Sequence, residues 1–121
     1  VCVLLVEDEL LIRSIMAESL VDAGYAVLHA GTADEAMALV ETTEIPISVL
    51  VTDIHLPGGK TGLDVVRVMR AKHPTLPVIV ATGRPDVVGP DWYRSGRVSL
   101  LHKPYGPSEL VERVKKALSD A

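Results

Sequence analysis

Five residues in this sequence carry groups that could act together: Glu7, Asp8, Asp53, Thr82 and Lys103. Each follows at once on, or ends, a β-prone apolar run: residues 1–6 before Glu7-Asp8-Glu9, 47–53 ending in Asp53, 78–81 before Thr82, and 98–101 before His102-Lys103-Pro104. An ionised Asp is costly to bury without a partner, so Asp53 is expected at the carboxyl edge of its strand, matched by a cation. Three carboxylates in one cleft repel and raise one another's pKa unless a cation neutralises them. Oxygen-only ligands favour Mg²⁺, usually held by one or two carboxylates together with phosphate oxygens. Lys103 suits a point charge on a phosphoryl oxygen, and the Thr82 hydroxyl can donate to another. Asp53 is then a nucleophile that takes a phosphoryl group in line and forms an aspartyl phosphate. Taken singly, Asp8 reads as a helix cap, Thr82 as a strand end, Lys103 as a solvated charge and His55 as a partly exposed loop residue. Their joint recurrence at strand ends carries the inference.

The elements that must position these groups alternate along the chain. Residues 1–6, 25–30, 47–53, 78–81 and 98–101 read as strands. The first helix is expected to bury Leu11, Ile12, Ile15, Met16, Leu20 and Ala23 and to end in a left-handed cap at Gly24. Thr32 with Glu35 reads as a capping box for a second helix, whose apolar side is Ala36, Met37, Leu39 and Val40. A third helix with Leu63, Val66 and Met69 runs to His73-Pro74, and a last one starts at Gly106-Pro107-Ser108-Glu109. The fold class expected is α/β: one doubly wound, five-stranded parallel sheet covered on both faces, in a single domain over residues 1–121. Only strand two ends without a reactive group, in Ala30; with that strand at the outer edge, the four polar ends are neighbours along one rim.

Composition narrows the function classes. The chain is 48% hydrophobic and 23% charged with a net charge of -4, which argues against nucleic acid or an anionic membrane as partner. Its longest apolar runs fall far short of the roughly 18 residues that a membrane span requires. A lone Cys2 permits no internal disulfide and no thiolate metal site, which suits a reducing, cytoplasmic setting. The apolar start without an initiator Met suggests a chain trimmed from something longer.

Over essentially its whole length the chain resembles the receiver domains of two-component response regulators. The resemblance is carried by Glu7-Asp8, Asp53 with Leu56-Pro57 behind it, Thr82, and Lys103-Pro104 followed by Tyr105. It implies a flavodoxin-like sheet of order 2-1-3-4-5 and Mg²⁺-dependent transfer of phosphate to Asp53 from a histidine kinase or histidine phosphotransfer protein. It further implies metal ligation by Asp8, Asp53 and the main-chain carbonyl of His55, with Glu7 acting mostly through water. Thr82 and Lys103 would contact the phosphoryl group, and Thr82, Gly83, Pro104 and Tyr105 would form the switch and cis-proline group. Such a domain catalyses its own phosphorylation and dephosphorylation but is a signalling module and not an enzyme; a homodimer is an admitted arrangement.

The chain also departs from the family pattern. Gly62 stands one residue further from Asp53 than the usual loop glycine, so the Gly58-Gly59-Lys60-Thr61 loop carries an insertion. Leu100 occupies the place of a switch Tyr or Phe. Ala81-Thr82-Gly83 resembles a subgroup of stand-alone and kinase-attached receivers, from which Arg84-Pro85 departs. The expected bistable element is therefore residues 84–97, which follow Thr82 directly, contain Trp92, and are denied a long helix by Pro85, Gly89, Pro90 and Gly96. Among rival classes, a flavin module lacks its phosphate loop after strand one. An Asp-nucleophile phosphatase lacks the second Asp at Leu10, and a metal-dependent nuclease has His55 where a second Asp is expected.

Overall fold

Apolar runs rich in Val, Leu and Ile form three strands buried along their whole length, and two more polar, partly exposed strands flank them at the sheet edges. The computed structural model describes residues 1–83 and 98–119. Its elements are β1 (Cys2–Val6), α1 (Leu10–Asp22), β2 (Ala26–Ala30), α2 (Ala33–Thr42), β3 (Val49–Asp53), α3 (Gly62–Lys72), β4 (Val78–Thr82), β5 (Val98–His102) and α4 (Pro107–Ser119). All strands are parallel, in the order β2-β1-β3-β4-β5, as the resemblance implied. The expectation of a switching element at residues 84–97, with Trp92 inside it, lies outside the described residues.

Successive side chains of a strand point to opposite faces, so one strand feeds two cores. Leu4, Val6, Leu50, Val78 and Val80 meet Ala33 and Ala36 of α2 and Val65, Val66 and Met69 of α3. Val3, Leu5, Val49, Val51, Ile79, Ala81 and Leu101 meet Met16 and Leu20 of α1 and Leu110 and Val114 of α4. The alternation has a consequence for the rim. Glu7, Asp53 and Lys103 continue the odd-numbered series of β1, β3 and β5, so all three emerge on the α1/α4 side of the sheet.

Local signals set most helix ends. Gly24, with φ of 99°, follows α1; its N–H donates to Val21 O at 2.9 Å and that of Tyr25 to Leu20 O at 3.1 Å, a Schellman cap. Thr32 Oγ1 accepts from Glu35 N at 3.0 Å, while the Glu35 carboxylate reaches Gly31 N, one residue short of the capping-box partner. The α1 surface differs from the expectation. Leu11 and Ile15 are 73% and 43% exposed, Leu10 is 66% exposed, and Ala23, the C-cap beyond the last helical residue, is exposed too, so this helix carries more apolar residues than its sheet contact uses.

Candidate functional site

Pairing persists one residue beyond the strands and aims the rim. Glu7 N donates to Ala30 O at 3.0 Å, Ile54 N to Ala81 O at 3.1 Å and Lys103 N to Thr82 O at 2.9 Å. Asp53 and Glu7 are consequently buried at 2% and 1% exposure, as is Thr82 at 1%. Lys103, about one-third exposed, reaches across the end of β4 to both carboxylates: its Nζ lies 3.0 Å from Asp53 Oδ2 and 3.6 Å from Glu7 Oε2.

Asp8 is exposed beside this pair. It does not cap α1: the N-cap position is Glu9, which makes no side-chain cap bond. Ligand oxygens of Glu7, Asp8 and Asp53 lie within 4.8 Å of one another, an arrangement able to hold a metal ion. Both Glu7 carboxylate oxygens are buried without a hydrogen-bond partner among the described residues. Buried oxygens in that condition are costly, and a hard cation that keeps part of its water shell satisfies them through that water; the donor set fits Mg²⁺.

Burial pushes the Asp53 carboxyl above its ordinary value, against the opposing hydrogen bond and charge of Lys103 and a further lowering influence from His55. His55 itself is exposed on the loop after β3. The Lys103–Pro104 peptide bond is cis. Tyr105 follows, packed against the α1/α4 core, and burial with the nearby Asp53 charge pushes its phenol up to about 12. Leu100, at the place expected for an aromatic, packs instead among the α2/α3-side core residues.

The main chain at Asp53 is confined from below. Gly62 opens α3, its N–H donates to Ile54 O at 2.8 Å, and a Cβ on it would overlap the Asp53 carbonyl. Thr52 Oγ1 donates to that carbonyl at 3.0 Å. The loop over residues 58–61 is crossed with positive φ at Gly58 (92°) and Gly59 (82°), conformations that suit glycine, and Lys60 Nζ reaches Asp34 Oδ1 of α2 at 2.6 Å. Sequence spacing flagged Gly62 as displaced but held no sign of its contact with Asp53. Arg13, whose Nη1 donates to Glu7 O at 3.1 Å, was missed altogether, because a charge on a helix reads as a solvated face. A cleft of 290 Å³ lined by Glu9, Ile12, Met16, Lys103, Pro104 and Tyr105 opens beside Lys103.

Comparison with known proteins agrees with this geometry. The family model described as the response regulator receiver domain matches residues 3–115. The transcriptional regulatory protein AruR of Pseudomonas aeruginosa is 37% identical over 96% of this chain and 48% of its own length. The regulatory protein VanR of Enterococcus faecium is 35% identical over 96% of this chain and 49% of its own. The chain spans half or less of the length of these curated relatives, and 24% of the DNA-binding transcriptional regulator NtrC of Klebsiella pneumoniae. Among solved structures, the receiver domain of the hybrid histidine kinase CckA superposes with a TM-score of 0.82 at 32% identity, covering 98% of this chain and 99% of that one. The chemotaxis response regulator CheY4 of Vibrio cholerae superposes at 0.81 with 27% identity, covering 97% of this chain and 98% of that one. With sheet order, rim and sequence in agreement, this chain belongs to the response regulator receiver domain family.

Proposed function

We propose that Asp53 accepts a phosphoryl group from a histidine kinase or histidine phosphotransfer protein, and that the aspartyl phosphate then controls a partner or attached domain. One observation carries this reading: a buried Asp53 sits 3.0 Å from Lys103 beside a buried Glu7 whose carboxylate oxygens have no hydrogen-bond partner among the described residues and only the more distant Lys103 charge to offset them. A structural ion pair would have no need of the surplus carboxylates. Asp8, Asp53 and the His55 main-chain carbonyl would hold Mg²⁺, with Glu7 acting through water. The ion, when bound, neutralises charge on the phosphoryl oxygens.

The chain's own groups supply the rest. An Asp53 oxygen attacks phosphorus while the bond to the donor nitrogen breaks. Lys103, already beside Asp53, is placed to move its charge onto a phosphoryl oxygen, and the Thr82 hydroxyl donates to another. Thr82, Gly83, Pro104 and Tyr105 would relay the change. A macromolecular donor is supported by the apolar surface of Leu10, Leu11 and Ile15 on α1, the helix that follows the acidic turn. Among the described residues no helix is long and apolar enough to cross a membrane, and a cytoplasmic signalling role, with or without a homodimer, goes with this reading.

Incubation with Mg²⁺ and acetyl phosphate should add one phosphoryl group, labile to base and hydroxylamine. Asp53→Asn or removal of divalent ions with a chelator should abolish it. Label persisting in either case would refute the reading.

A further inference from the structure

The turn that presents Glu7 and Asp8 leads into a helix that starts with little local support. Its N-cap residue Glu9 makes no side-chain cap bond, and no acidic residue stands in the first turn of α1. Such an N-terminus leaves its first N–H groups to other partners and does little to fix the entering chain. The turn is instead held from further along the helix. Arg13 Nη1 reaches back to the Glu7 carbonyl at 3.1 Å, while Glu7 N is fixed by Ala30 O at 3.0 Å. Both main-chain groups of Glu7 are thus secured, one by the sheet and one by the Arg13 side chain.

Arg13 is not lying there by default. A long cationic side chain ordinarily extends to keep its head in water. Here the side chain is half-buried, and its Nε is buried without a hydrogen-bond partner among the described residues. That arrangement costs free energy which an extended rotamer would avoid. Room for the guanidinium exists because residue 31 is glycine: a Cβ on Gly31 would overlap Arg13 Nη1. Among the described residues the positive-φ glycines are Gly24, Gly58 and Gly59, so Gly31 is needed for space and not for its backbone conformation.

Resting on the Mg²⁺ reading above, we propose that Arg13 is a positioning residue for the cation site, holding the Glu7 carbonyl so that the turn directs Glu7 and Asp8 toward Asp53. The sign of the effect separates this role from simple electrostatics. A cation beside three carboxylates repels a second cation, so deleting its charge alone would tighten Mg²⁺ binding. Loss of a group that orients ligands weakens binding, by about tenfold or more.

Calorimetric titration of Mg²⁺ into the folded chain, well below its melting temperature, tests this. Arg13→Met should weaken binding about tenfold, and Arg13→Lys should recover most of the loss. Gly31→Ala adds one methyl against the far end of a flexible side chain, so it should fold normally yet weaken Mg²⁺ to a similar degree. The double variant should bind no worse than Arg13→Met alone, because both act through one contact. Unchanged or tighter binding in Arg13→Met, or full affinity in Gly31→Ala, overturns the proposal. If wild-type chain binds no Mg²⁺, the phosphoacceptor reading falls by itself. Amide exchange at Glu7, Asp8 and Glu9 in metal-free protein then decides the role of Arg13: faster exchange in both variants supports it, and unchanged exchange overturns it.

Discussion

Lys103 Nζ lies 3.0 Å from Asp53 Oδ2 although β4 stands between their two strands. The side chain crosses the end of β4 and reaches Glu7 as well, at 3.6 Å. Sequence alone points Lys103 at a phosphoryl oxygen. In the fold it already balances two buried carboxylates before any phosphate arrives, and this gives it a second role in stability.

Lys103→Met should therefore destabilise the metal-free chain by about 2 kcal/mol at neutral pH. Breaking a fully buried pair costs more, but Lys103 is one-third exposed and water screens part of the interaction. Mg²⁺ should restore more stability to this variant than it adds to the wild type, since it replaces the lost cation. Urea unfolding with and without Mg²⁺ measures both effects; equal stability of variant and wild type without metal would contradict the argument.

The raised Asp53 pKa makes a pH-dependent prediction with a definite sign. Burial disfavours the charged form, so the folded state binds this proton more tightly than the unfolded chain does. The stability this contributes is fully present below the ordinary carboxylate value and is lost as pH rises through the raised one. Asp53→Asn cannot ionise. In metal-free buffer it should melt a few degrees above wild type at neutral pH, with the difference shrinking toward about pH 4. A gap that widens on acidification would refute the assignment.

Tyr105 should ionise at about 12, held up first by burial and then by the Asp53 charge. Alkaline absorbance titration should show this late tyrosinate, absent in Tyr105→Phe and moved lower in Asp53→Asn. Its stabilising contribution is present below the ordinary tyrosine value and disappears as pH rises through about 12.

Gly62→Ala should cost about 2 kcal/mol or more, because the added Cβ meets main chain and not a movable side chain tip. The displaced atom is the Asp53 carbonyl, so phosphorylation by acetyl phosphate should slow as well, about tenfold or more, even at temperatures where the variant is fully folded. Normal phosphorylation kinetics in a folded Gly62→Ala variant would show that Asp53 tolerates the shift.

Sequence by itself determined the features that depend on neighbouring residues. Apolar runs ending in a charged or hydroxyl group marked β1, β3, β4 and β5 and the rim they share, and Gly24 and Thr32 marked helix ends, because strand period, φ freedom and capping are local properties. The inventory Glu7, Asp8, Asp53, Thr82 and Lys103 followed from those same strand ends. Tertiary structure alone decided what crosses between elements. The period of α1 is blind to direction: it ranked Leu11 and Ile15 with Met16 and Leu20, yet the sheet has room for one narrow stripe and leaves the first two in water. The meeting of Lys103 with Glu7, the approach of Gly62 to the Asp53 carbonyl and the fit of Arg13 over Gly31 join residues far apart in sequence. Such contacts are set by how strands are staggered and helices docked, and no spacing along the chain encodes a distance across the sheet.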